Sequence, residues 1–275
     1  MERLELGETD ATHGSECSTL ATLTTLNALA YYTSIAVQAV GLVLAVAALA
    51  VASDAVPEVI LYLLCLDLVV QAIEFAFYAT ARLVLGSAAA VADRLWLRYG
   101  DWCLSVPVVV TSLFQYVLYR ADRCGVTRVA DVFEPLHIVA IVCIVLAVWD
   151  MLFVGYASVE FPGALAERLD AVLRRDGSSK LWPWASLVAA FVPPLVVVVR
   201  SGDGLSWFVF LWTFAFFACY GLAAIAWGGG GVDRAALLKR NAAYSVLDLL
   251  TKNTLGIVFA AAVIGWGNGD TGCAS

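Results

Sequence analysis

Lys252 is a lone lysine within an apolar run that extends from Tyr244 to Trp266. An ionisable side chain at bilayer depth is costly and marks a functional position by default. Asp248 lies four residues earlier, so on a helix the two side chains share a face. Two chemistries fit this pair: a plain buried ion pair, or a lysine converted to an imine with its counterion one turn away. A second group stands at 98–107, Arg-Tyr-Gly-Asp-Trp-Cys-Leu-Ser-Val-Pro. Arg98, Asp101 and Ser105 project from one helical face. Inside a bundle such groups pair with each other, with another charge or with water, and an ion pair joining two helices is the plain alternative. A third group is Glu74, in Ile73-Glu74-Phe75-Ala76-Phe77-Tyr78, with Asp67 seven residues earlier on the same face. A glutamate in mid-span is wet or hydrogen-bonded, and a protonated glutamic acid bridging helices is its plain reading.

The elements that position these groups are membrane spans. The 275 residues are 62% hydrophobic and only 14% charged, well under the quarter that typifies soluble domains. Apolar runs recur at about 24–52, 57–86, 99–119, 135–157, 182–200, 206–228 and 241–266. Each is close to the ~20 residues that cross a ~30 Å hydrocarbon core. Their length and their lack of two-residue alternation predict helices rather than barrel strands. The expectation is an all-α membrane protein, a seven-helix bundle over 24–266. Residues 1–23 form a polar N-terminal segment and 267–275 a short tail. The 158–181 connection has mixed charge and reads as an amphipathic surface helix.

The N-terminus is acidic, without the basic start and apolar core of a signal peptide. Net charge is −7 with no basic stripe, which argues against nucleic-acid binding. No nucleophile–base pair, metal cluster or phosphate loop points to an enzyme. Cys65, Cys103, Cys143 and Cys219 lie in or beside spans and read as small hydrophobes. Cys17, ahead of the first span, is a candidate for a disulfide to a second protomer if that segment is extracellular.

Arg98-Tyr99-x-Asp101-Trp102, followed by a hydroxyl at Ser105 and by Pro107, resembles the third helix of the microbial rhodopsins. Asp248-x-x-x-Lys252 resembles their seventh, and the resemblance spans the chain. It implies all-trans retinal bound to Lys252 as a Schiff base in the bundle interior. Asp101 and Asp248 would be its counterions, and Arg98 would sit just outside them. Trp102 and Trp212 would sandwich the polyene, with Ser105, Val106, Phe216, Thr251 and Tyr78 also at the pocket. It implies an extracellular N-terminus, a cytoplasmic tail and a multi-pass protein of the plasma membrane, as a homo-oligomer (dimer or trimer). The loop charges run against that orientation, because Arg168, Arg174, Arg175, Lys180, Arg234, Lys239 and Arg240 then fall outside.

Within that family the residues favour a light-gated channel. Ser112 stands where proton pumps carry a reprotonating carboxylate, and a hydroxyl is no such acid near neutral pH. Chloride pumps lack the acid that Asp101 supplies. Glu74 resembles the central-gate glutamate of channelrhodopsins, Asp67 falls near their inner gate, and Lys252-Asn253-x-x-Gly256 resembles their seventh helix, where the asparagine pairs with that glutamate. Asp150 resembles the carboxylate that couples their third and fourth helices, and Gln38 is a candidate lining residue. The implied partners are the bilayer and the conducted ions. Basic residues at the outer mouth, Arg82, Lys239 and Arg240, tilt the expectation slightly to anions. A weak proton pump and a sensory rhodopsin are the alternatives.

Overall fold

A computed structural model of the chain describes residues 6–94, 96–123, 125–152, 182–227 and 233–266. The helices are α1 (Leu6–Val51), α2 (Glu58–Leu85), the short α3 (Ala88–Ala92), α4 (Trp96–Ala121), α5 (Pro135–Asp150), α6 (Trp182–Ser201), α7 (Gly204–Trp227) and α8 (Arg234–Trp266). A 3-10 turn at Val129–Phe133 precedes α5. Among the described residues, six of the helices are long and apolar enough to cross a membrane, and the described part of α5 is a shorter apolar one. With α3 set aside they form a ring: α1 packs on α2, α2 on α4, α4 on α5 and α6, α6 on α7, α7 on α8, and α8 back on α1. Large apolar side chains such as Leu83, Leu136 and Val43 point outward, as expected where lipid is the solvent.

The boundaries depart from expectation at several points. The first helix begins at Leu6, not near residue 24, so part of the polar segment continues the helix. Once started, a helix satisfies its own backbone and its threonines fold back, as Thr22 does onto the Ser18 carbonyl and Thr24 onto Leu20. The seventh span begins at Arg234, seven residues before the expected start. In the fourth span, Met151 and Leu152 form a π-type turn, the last residues described there. The break at Gly86–Arg94 contains α3, whose N-cap Ser87 accepts from the Ala90 N–H. Gly86 ends α2 at φ 78°, a left-handed position suited to glycine. The connection at 158–181, the side chain of Cys17 and the tail from 267 lie outside the described residues. The four span cysteines are free thiols, with Cys65 and Cys143 on the lipid face rather than in the core.

Two local devices hold the framework. Pro107 lies inside α4 and cannot donate to the Cys103 carbonyl four residues earlier. The Trp149 indole N–H of α5 donates to that carbonyl at 2.9 Å, so the gap ties two spans together. At one end of the bundle, Arg120 grips Asp203 in a fork of 3.0 and 2.6 Å. Asp203 also caps α7, accepting from the Ser206 N–H at 2.9 Å and its hydroxyl at 2.7 Å. The Arg120 bond, with help from Ser206, holds the Asp203 carboxyl at about 2, below the usual carboxylate value. A depressed carboxyl stabilises the fold above its unfolded pKa and loses that contribution as pH falls toward the folded one. Thermal melting should therefore show a loss of stability between about pH 4 and pH 2. Asp203→Ala should remove this step and lower stability by roughly 1–2 kcal/mol at neutral pH.

Candidate functional site

The site forms where α2, α4, α7 and α8 meet. On α8 a polar stripe runs Asn241, Ser245, Asp248, Lys252, at spacings of four, three and four, and faces the interior. Lys252 is 1% exposed. Its Nζ bonds the Glu74 carboxylate directly. It lies 3.0 Å from Ser105 Oγ, 3.2 Å from Asp248 Oδ1 and 3.7 Å from Asp101 Oδ2. The Ser105 hydroxyl also lies 3.0 Å from Glu74 Oε1. Three carboxyl groups from three helices thus converge on one amine.

Asp248 is the most heavily bound of the three. It accepts from Arg98 at 2.8 Å, from Tyr78 OH at 2.7 Å and from Tyr220 OH at 2.7 Å. Arg98 does not pair with Asp101 on its own helix. Its three nitrogens reach α8 instead: Asn241 at 3.0 Å, Asp248 at 2.8 Å and Ser245 at 2.6 Å. Its guanidinium also stacks 4.9 Å over the Tyr78 ring. Asn241 donates onward to Asn27 of α1 at 2.7 Å, and Asn27 to the Ala88 carbonyl at 3.1 Å. This side of Lys252 is closed by a continuous hydrogen-bonded network.

The opposite side is different. The resemblance implied a Glu74–Asn253 pair, but no hydrogen bond joins them; Glu74 is engaged by Lys252 and Ser105 instead. Asn253 lies one step further along α8, beside Gln71 and Gly41. Neither polar atom of Asn253 or of the buried Gln38 has a hydrogen-bond partner among the described residues. A cavity of about 90 Å3 opens there between α1, α2 and α8, lined by Gly41, Asp67, Gln71, Asn253 and Gly256. Its wall is mostly aliphatic, with Val37, Val40, Leu44 and Ile257, but Asp67, Gln71 and Asn253 supply polar groups, and the space is large enough for water, which needs only one probe-sized void and a few polar partners. Gly41 is needed for this approach: a Cβ there would meet Asn253 Oδ1 at 2.9 Å and Gln71 Oε1 at 3.2 Å. Gly256 serves likewise, because a Cβ would run into the Asp67 carboxylate.

Away from the carboxylates, an apolar cleft is lined by Trp102, Val106, Met151, Leu152, Phe217 and Tyr220. Trp102 and Val106 line this cleft, and Trp212 and Phe216 do not. Trp212 is turned to α8, donating to the Leu250 carbonyl at 2.8 Å and to Thr254 at 3.1 Å. Phe216 packs on it at 4.7 Å. The α7 face toward the cleft carries Thr213, Phe217 and Tyr220, at the helical spacing that buries them. Tyr220 lies 5.0 Å from Trp102 between ring centres and 3.2 Å from the Thr251 hydroxyl. Asp150 also departs from expectation. It takes a 2.5 Å bond from Ser186 and so joins α5 to α6, not α4 to α5. The α4–α5 link is Trp149, which the sequence gave no signal to single out.

Residues 29–162 match the family of bacteriorhodopsin-like proteins. No curated protein sequence matches the chain. Among solved structures, the viral rhodopsin OLPVRII superposes with TM-score 0.62 at 18% identity, over 86% of this chain and 96% of its own. Bromide-bound halorhodopsin from Halobacterium salinarum gives 0.62 at 14% identity, over 90% and 96%. Thermophilic rhodopsin from Rubrobacter xylanophilus gives 0.60 at 16% identity, over 88% and 100%. The chain therefore has the seven-helix rhodopsin fold over most of its length and is bacteriorhodopsin-like in sequence from residue 29 to 162.

Proposed function

We propose that the protein is a retinal photoreceptor that acts as a light-gated ion channel, with retinal bound to Lys252. The residues present fit that group: a buried primary amine, carboxylates around it, and a cleft lined by aromatic and aliphatic side chains. The cleft has about 10 Å3 of free space, so its side chains must turn aside to admit a polyene. When bound, retinal supplies a light-driven change of shape beside a positive charge. Asp248 holds that charge on one side, and Glu74 with Asp101 holds it on the other. Trp102 and Tyr220 exclude water and fix the slot.

The observation that carries the channel reading is the cavity at Gly41, Asp67, Gln71 and Asn253. It continues the line of Glu74 between α1, α2 and α8. Ser112, at the corresponding depth of α4, is a buried hydroxyl, not an acid that could return a proton. Displacing the Lys252 nitrogen frees Glu74 and lets water join the cavity to the centre of the bundle. Asp67 in the cavity wall favours cations when it is ionised. Arg82, one of the basic residues that tilt the expectation to anions, is held by Tyr32 OH at 2.7 Å and the Gly86 carbonyl at 2.5 Å, neutral partners that leave its positive charge in place. The proposed setting is a plasma membrane, with the N-terminus outside and the protein as a homo-oligomer.

Voltage clamp of retinal-supplied cells tests this. Photocurrents should reverse at a potential that follows the sodium or proton gradient and ignores chloride. Current of fixed sign at every gradient makes the protein a pump, and absence of current makes it a sensor. Gly41→Val supplies a second check. Valine crowds Asn253 and Gln71 and fills part of the cavity, so photocurrent should fall markedly. The absorption spectrum should shift little, because Gly41 meets Asn253 and Gln71 rather than the carboxyls around the Lys252 nitrogen.

A further inference from the structure

We propose that Glu74 and Asp101 act as one acid, sharing a single proton across the Lys252 nitrogen, so that either carboxyl can serve as counterion when the other is removed. The inference rests on the reading of Lys252 as the retinal site and adds to it a third, compensating carboxyl.

Charge balance is the first argument. Lys252 and Arg98 bring two positive charges to the cluster, against the three carboxyls of Glu74, Asp101 and Asp248. All lie in the bundle interior, where a net uncompensated charge is expensive. The cluster is neutral with one carboxyl protonated. The hydroxyls of Tyr78, Tyr220, Ser105, Ser245 and Thr251 also surround it, and they take part in hydrogen bonds rather than add charge.

Geometry then says where the proton goes. Asp248 accepts three hydrogen bonds, one from a guanidinium, and this set favours its ionised form. The proton is left to Glu74 and Asp101. Both face the same Nζ, Glu74 in direct contact and Asp101 at 3.7 Å. Glu74 Oε2 and both Asp101 oxygens have no hydrogen-bond partner among the described residues, so each is open to a proton. Two carboxyls at one site cannot both ionise freely and titrate as a pair. The pair can also take up a second proton. When the Lys252 N–H bond breaks, an O–H bond forms on the ionised member, and the cluster keeps its total charge.

The test compares visible absorption of the retinal-loaded protein with Glu74→Gln, Asp101→Asn and the double variant. A nearby anion stabilises the charged nitrogen more in the ground state than after excitation, so its removal shifts absorption to the red. With a shared proton, each single variant leaves one ionised carboxylate, and both should absorb where the unmodified protein does. The double variant should show a large red shift. A large shift in Asp101→Asn alone, or in Glu74→Gln alone, assigns the charge to one fixed residue and overturns the proposal. If the double variant does not fold, the two single spectra still decide. Infrared spectroscopy of the apoprotein gives a readout free of retinal: one neutral-carboxyl band should vanish in both single variants, and its survival in either rejects the pair. A protein that takes no colour at all would instead remove the retinal reading, while the infrared comparison would still judge the proton.

Discussion

Lys252→Ala protein, expressed with retinal, will be colourless and will carry no photocurrent. Two effects combine. The only amine of the buried cluster is lost, and with it the one group there that can condense with an aldehyde. The carboxyls of Glu74, Asp101 and Asp248 then face Arg98 alone. Removing one partner of a buried ion pair costs about 3–5 kcal/mol, because the remaining charge is stranded. Protonation of the freed carboxyls will recover part of this, so the variant should melt earlier at alkaline pH than at mildly acidic pH. The checks are the visible spectrum, bleaching of the unmodified pigment by hydroxylamine under illumination, and thermal melting of both proteins. Colour that survives the substitution would falsify the assignment of Lys252.

Arg98→Gln is expected to lower stability by a similar amount, about 3–5 kcal/mol, with or without retinal. Arg98 is 1% exposed and uses three nitrogens on three residues of α8. Glutamine cannot reach all three, and Asp248 loses its guanidinium. Arg98→Lys should recover only part of the loss, because an ammonium is a point donor and cannot reproduce the planar fork. Thermal melting in detergent measures both. A melting point unchanged by Arg98→Gln would mean that the α4–α8 brace contributes nothing to the fold.

Much of this arrangement could be read in the sequence. Composition and run length were enough for seven helices, because a bilayer demands long apolar segments. Lys252, Asp248, Asp101 and Arg98 stood out because charge in such segments is rare. What could not be read was azimuth and level. Spacing places Arg98 and Asp101 on one face but does not say that Arg98 reaches across to Asp248. It places Glu74 in the interior but not beside Lys252 rather than Asn253. Trp212 and Phe217 lie on one aromatic helix, and only packing decides which turns to the cleft. Trp149 was invisible because its role depends on a carbonyl released by a proline on another helix. The polar start of α1 was misjudged because hydropathy reports where lipid ends, not where a helix does.

The interlocked amides and hydroxyls around Arg98, set against those around Asn253 that have no partner among the described residues, make the two ends of the helix bundle mechanically unequal. A structure stiff in one leaflet and soft in the other yields to lateral squeeze chiefly where it is soft. On the proposed function, lipids that raise acyl-chain pressure in that leaflet should oppose its swelling, so membrane composition would govern how long the open state lasts.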